Sequence, residues 1–93
     1  MLKLPPTLTQ TSATVSLQDL GAALQAETSD VVVDASDLSR FDTAALAVLL
    51  ALRRQALARG KTFAIKDLPQ RLADLARLYG IAELLPAQAT SSP

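Results

Sequence analysis

Asp42 and Thr43 stand directly before an uncharged run, Ala44 to Leu52, in a chain of 93 residues that contains neither cysteine nor histidine. An acid and a hydroxyl at the start of a helix can accept from the first-turn N–H groups, which have no intrahelical acceptor. Plain N-capping is therefore one sufficient reading of both side chains. Asp34, Asp37 and Asp42 offer a second chemistry, a carboxylate cluster for Mg²⁺. Against it, the spacing lacks a second acidic strand end, and no Lys or Thr companion is convincingly placed. Arg53, Arg54, Arg59, Lys61 and Lys66 offer a third, the binding of phosphate or a lipid headgroup, but a solvated helix face accounts for them and leaves only rim contacts. Without Cys and His the chain has no thiol nucleophile, no disulfide, no soft metal ligand and no usual general base near neutral pH. The expectation is a binding domain with no catalytic residue, cofactor or metal.

The elements that position Asp42 and Thr43 must come from one compact unit, because 93 residues support a single core. Apolar residues make up 49% of the chain and aromatics only 3%, so that core is built from Leu, Val, Ile and Ala. Nine basic residues balance nine acidic ones, leaving no long-range field to gather nucleic acid or an anionic membrane. No charged n-region with an apolar run and cleavage site is visible at the start, and the longest apolar run is less than half the ~20 residues that span a bilayer. A cytoplasmic protein without direct membrane insertion is expected.

Along the chain, Leu8 to Val15 reads as one short N-terminal strand, which Pro5 and Pro6 confine to an edge. Ser16 and Asp19 match a capping box, and Leu17, Leu20, Gly21 and Leu24 recur at helical spacing, predicting a helix from Leu17 to Ala26. Val31 to Ala35 is a β-branched run with the length and continuity of a central strand covered on both faces. Ser36 to Arg40 reads as a loop, and Ala44 to Arg59 as a long helix with Gly60 placed as its C′ residue. Lys61 to Lys66 reads as a second strand, and strand, helix and strand in succession imply a right-handed parallel crossover. Asp67 is placed to cap a third helix with Leu72, Leu75, Ala76 and Tyr79 on its apolar face and Gly80 as its stop. Ile81 to Leu85 offers a last apolar contact. The domain so read covers 1–86, and 87–93, Ala-Gln-Ala-Thr-Ser-Ser-Pro, reads as a disordered tail.

The first half of the long helix is apolar all round, where a surface helix carries an apolar stripe and a polar face. Burial within the domain, a homodimer contact and a contact with another protein each explain it. A domain this small has little material to cover a second helix face, which favours a partner.

At these residues the chain resembles a STAS domain, the fold of sulfate-transporter tails and anti-sigma factor antagonists. The pattern is Val31-Val32-Val33-Asp34, the loop Ser36 to Phe41, then Asp42-Thr43-Ala44-Ala45-Leu46. Leu75 to Gly80 with Leu84-Leu85-Pro86 is similar to the end of the MlaB-like STAS subunits of the Mla phospholipid-transport ABC complex. The resemblance spans about Asp30 to Pro86. Ala44 stands where the family's usual glycine follows the Asp-Ser/Thr pair, and the N-terminal hairpin is shortened to one credible strand.

The resemblance implies an α/β STAS fold, a small mixed sheet with helices packed on it. It also implies a non-enzymatic accessory subunit that binds and supports an MlaF-like ABC ATPase, and so lies at the cytoplasmic side of the inner membrane through that partner. Thr43 falls where antagonist relatives are phosphorylated, and Asp42, Thr43, Ala44, Ala45, Leu46 and Val48 would frame the partner surface. The alternative is an anti-sigma factor antagonist switched by phosphorylation at Thr43. An enzyme of the phosphoaspartate-receiver class is a distant third.

Overall fold

The computed structural model describes residues 1–86; the tail expected at 87–93 lies outside the described residues. Five strands and three helices follow in the order β1 (Leu2–Lys3), β2 (Thr7–Leu8), α1 (Ala13–Gln25), β3 (Asp30–Asp34), β4 (Arg40–Phe41), α2 (Thr43–Ala58), β5 (Thr62–Lys66) and α3 (Gln70–Leu78). A 3-10 turn at Ala82–Leu84 closes the set.

β3 is the central strand of a three-stranded sheet ordered β1-β3-β5, with Val31 opposite Phe63 and Val33 opposite Ile65. β2 and β4 form a separate pair. Every pairing is parallel, a departure from the expected mixed sheet. The reason lies in Pro5 and Pro6, which have no N–H to offer a ladder. They split the N-terminal segment into two-residue strands, β1 beside β3 and β2 beside β4, and no antiparallel hairpin forms. Pro6 instead accepts at its carbonyl from the N–H groups of Ser39 at 2.9 Å and Arg40 at 3.0 Å.

The strand expected over Leu8 to Val15 is thereby corrected: only Leu8 is extended, and Thr9 to Ser12 turn into α1. The capping box at Ser16 is corrected too. Ser12 already provides the N-cap position, and Ser16 N–H bonds to the Ser12 carbonyl at 3.0 Å as part of the first turn. The helix extends back through Ala13-Thr14-Val15 because nothing there breaks it, and Val15 points to solvent.

Alternation along β3 and β5 sends Val31, Val33, Phe63 and Ile65 into the core. Val32 and Ala64 on the other face are only half-buried, so the central strand is covered fully on one face and not on two. Leu20 and Leu24 of α1, Leu46, Val48, Leu49 and Leu52 of α2, and Leu72 and Ala76 of α3 join that core. Each large side chain sealed there contributes about 1.5–3 kcal/mol of burial free energy.

α1 ends where Lys61 meets it: the ammonium donates to the carbonyls of Leu24 at 3.0 Å and Gln25 at 3.5 Å, the last two helical residues, and to that of Glu27 just beyond them at 2.7 Å. A cation there complements the negative end of the helix dipole. α2 stops at Gly60 and α3 at Gly80, each with φ near 71°, a left-handed turn open to glycine. Tyr79, expected on the apolar face of α3, is its C-cap and is exposed. Asp67 does not cap α3; it takes φ 57° to turn the chain out of β5, and Pro69 is the N-cap residue. Leu85 supplies the expected last apolar contact, and Pro86 accepts from Ile65 N–H at 2.9 Å at the edge of β5.

Candidate functional site

α2 begins where β4 ends, and one side chain organises the junction. Asp42 sits in an extended conformation with φ −130°, and its Oδ1 accepts from Ala44 N–H at 2.8 Å. Its Oδ2 accepts from the backbone N–H of Gln10 at 3.1 Å, which ties the turn before α1 to the start of α2. Of the two side chains placed at the helix start, Asp42 is therefore the cap. Thr43 is the first helical residue, exposed, and among the described residues its hydroxyl makes no hydrogen bond.

Gln10, Asp42, Thr43, Ala44 and Ala47 line a shallow concavity of about 350 Å³ at this junction. Gln10 was invisible to sequence reasoning, since it lies 32 positions from Asp42 and carries no motif. Ala47 had a signal: it stands one helical turn beyond Thr43. Ala44 is half-buried, and a methyl group fits inside the first turn where the family pattern has glycine.

The other three residues expected at the surface are not there. Ala45, Leu46 and Val48 are buried, each at most 3% exposed, and belong to the hydrophobic core. Within the uncharged run only Ala47 is exposed, with Ala44, Leu50 and Ala51 half-buried. α2 packs on the sheet with α1 and α3 also against it, so the domain itself covers most of the apolar circumference. What remains for another molecule is a narrow strip of small side chains led by Thr43.

Asp34, at the end of β3, accepts at Oδ1 from Ser36 N–H at 2.9 Å. The Ser36 hydroxyl, and then that backbone N–H, hold its carboxyl below the usual carboxylate range. Asp37 pairs with Lys3 at 3.2 Å, while Asp42 is committed to backbone donors. The three carboxylates thus serve separate local roles, and among the described residues no cluster suited to a metal ion is found. No helix among these residues is long and apolar enough to cross a membrane.

A family model described as "Mlab, STAS domain" matches residues 1–86. The chain belongs to the STAS-domain family. The fold of a solved STAS domain protein from Planctomyces limnophilus, described as an anti-sigma-factor antagonist, agrees with it at a TM-score of 0.77. That likeness covers 96% of this chain and 80% of that one at 17% sequence identity, and so speaks for the STAS fold alone. No curated protein is significantly similar to the chain. STAS domains are in general interaction and regulatory modules, and no catalytic family is indicated. In this STAS domain the Asp-Thr pair expected at the loop-to-helix junction opens α2, with the hydroxyl outward.

Proposed function

We propose that this STAS domain is a non-enzymatic accessory subunit that binds and supports the ATPase of an ABC-type phospholipid transporter of the Mla kind. It would act at the cytoplasmic face of the inner membrane, held there by its partner. The observation that carries the reading is the match of an MlaB-described family over residues 1–86. The junction is compatible with it: Thr43, Ala44 and Ala47 form an uncharged strip of small side chains, and such a strip lets another backbone approach closely. Asp42 anchors the start of that strip by accepting from the Ala44 and Gln10 N–H groups.

The test is capture of a purified ABC ATPase subunit by the chain. Thr43→Glu is expected to abolish capture with native circular dichroism, and Thr43→Ser to leave capture intact. A carboxylate on the strip must be desolvated against an apolar partner, whereas in the free protein it sits in water at a helix N-terminus. Full capture by the Glu variant would overturn the role given to Thr43. A wild-type chain that captures no ATPase would overturn the function itself.

A second reading, an anti-sigma factor antagonist switched at Thr43, draws support from the exposed hydroxyl and the description of the Planctomyces protein. Phosphorylation adds about −1.5 to −2 charge at the same point. Intact-mass measurement after incubation with an anti-sigma kinase, compared for wild type and Thr43→Ala, separates the two readings.

A further inference from the structure

The three-stranded sheet has one bare face. β1, β3 and β5 follow one another across it, so both crossovers, through α1 and through α2, step in the same direction. Right-handed crossovers that step one way put their helices on one side. α1, α2 and α3 accordingly share one core with Val31, Val33, Phe63 and Ile65. Among the described residues no helix lies on the opposite side, where Val32 and Ala64 are half-buried and stand outside that core. Parallel sheets are ordinarily covered on both faces. The bare face also carries its charges in register. Lys3, Asp34 and Lys66 stand side by side across the three strands; Val32 and Ala64 form the next row on that face, and Asp30 and Thr62 the one after. Lys3 is paired with Asp37 at 3.2 Å, and Asp30 accepts from the Thr62 hydroxyl at 2.9 Å. The Asp34 carboxylate accepts only from Ser36, and Lys66 has no ion-pair partner among the described residues.

We propose that two copies of this chain meet through the bare face, with β3 of one copy lying over β5 of the other. A two-fold axis parallel to the strands and midway between β3 and β5 gives this arrangement. It sets Asp34 against Lys66 of the second copy and Val32 against its Ala64, and the symmetry repeats both contacts the other way round. The charge pattern selects this register. An axis along β3 would set Asp34 against itself and Lys3 against Lys66. Turning the second copy end for end would set Asp34 against an aspartate, Asp30 or itself, or over Val32. Laying β1 over β3 would draw on Lys3, which Asp37 already holds. An anionic membrane or a nucleic acid is a poor match, because Asp30, Asp34 and Asp37 outnumber Lys3 and Lys66 here. Two strands of five residues present only about 17 by 10 Å. That is far less than the ~800 Å² per partner of a standard interface, so the pairing is weak and grows with concentration.

Sedimentation equilibrium over a dilution series reaching millimolar chain is measured for wild type, Asp34→Lys, Lys66→Asp and an equimolar mixture of the two variants, each variant checked by thermal melting. Wild type is expected to rise toward the mass of a dimer with concentration. Each variant alone is expected to dimerise about tenfold more weakly or less, since it sets like charges against each other. The mixture is expected to regain wild-type dimerisation. The lysine introduced at position 34 of one chain then faces the aspartate introduced at position 66 of the other, and the native Lys66 and Asp34 face each other as before. An ion pair within a single chain cannot give that recovery. If Asp34→Lys lowers the melting temperature, the pair Val32→Lys and Ala64→Glu, one row along, supplies the same reading alone and mixed. A monomeric wild type, a dimer that survives the single variants, or a loss that mixing does not restore each overturns the inference, and none of them touches the ATPase reading. Flotation of wild type with phosphatidylglycerol vesicles, or capture of the ATPase subunit, that Lys66→Asp abolishes while the chain stays monomeric also overturns it, in favour of a membrane or that partner.

Discussion

Asp42 holds two segments with one carboxylate, Ala44 N–H on one oxygen and Gln10 N–H on the other. An ordinary cap lost to alanine costs about 0.5–2 kcal/mol. Here a second backbone donor loses its acceptor as well, although both bonds are exposed and water replaces part of the loss. Asp42→Ala is expected to lower stability by about 1–2 kcal/mol in urea melts, and Asp42→Asn by less, since the amide oxygen still accepts from Ala44. The same residue marks the limit of what a sequence can disclose. Its bond to Ala44 is local and could be anticipated from a capping residue before an apolar helix. Its bond to Gln10 depends on how Thr9 to Ser12 turn, which no periodicity encodes. Thr43 and Val48 make the same contrast: both were expected at a partner surface, yet one faces water and the other the core, five positions on.

At the level of single elements, the helices end where glycines permit. Gly80 has φ 71° and open space around the missing Cβ, so Gly80→Ala is expected to cost about 1–2 kcal/mol from backbone conformation alone. Gly21 differs, for it lies within α1 and faces α2. A Cβ there would stand 2.9 Å from the Gln55 side-chain oxygen, the far end of a flexible group that can move aside. Helix propensity then decides, and Gly21→Ala is expected to stabilise by about 0.5 kcal/mol; opposite signs for the two variants in one series of urea melts check both arguments. The elements that were legible were those with local causes: the run Val31-Val32-Val33, the long helix to Ala58, and the stops at Gly60 and Gly80. α1 was placed too late because Ser12 and Ser16 offer similar chemistry, and only the earlier one meets the turn. β1, β2 and β4 are two residues each, and such strands exist only through partners that are remote in sequence.

Across the whole molecule, the three helices and the sheet share one core, and α2 runs through its centre. A charge at Val48 therefore acts on the fold and not on a partner. Val48→Asp is expected to abolish cooperative melting, whereas Leu57→Asp, on the same helix but 48% exposed, changes stability by less than about 0.5 kcal/mol. Cohesion between layers also depends on polar joints, of which Lys61 is the clearest. Lys3, Lys61 and Lys66 are the chain's three lysines, and they are not equivalent reagents. Lys3 and Lys66 are exposed amines, while Lys61 is surrounded by the carbonyls at the end of α1. An acylating probe used sparingly will decorate the first two and leave the domain whole. Driven to completion, it will neutralise the third and free the end of α1 from the sheet, so the extent of labelling decides whether a coupled sample still presents an intact α2 surface.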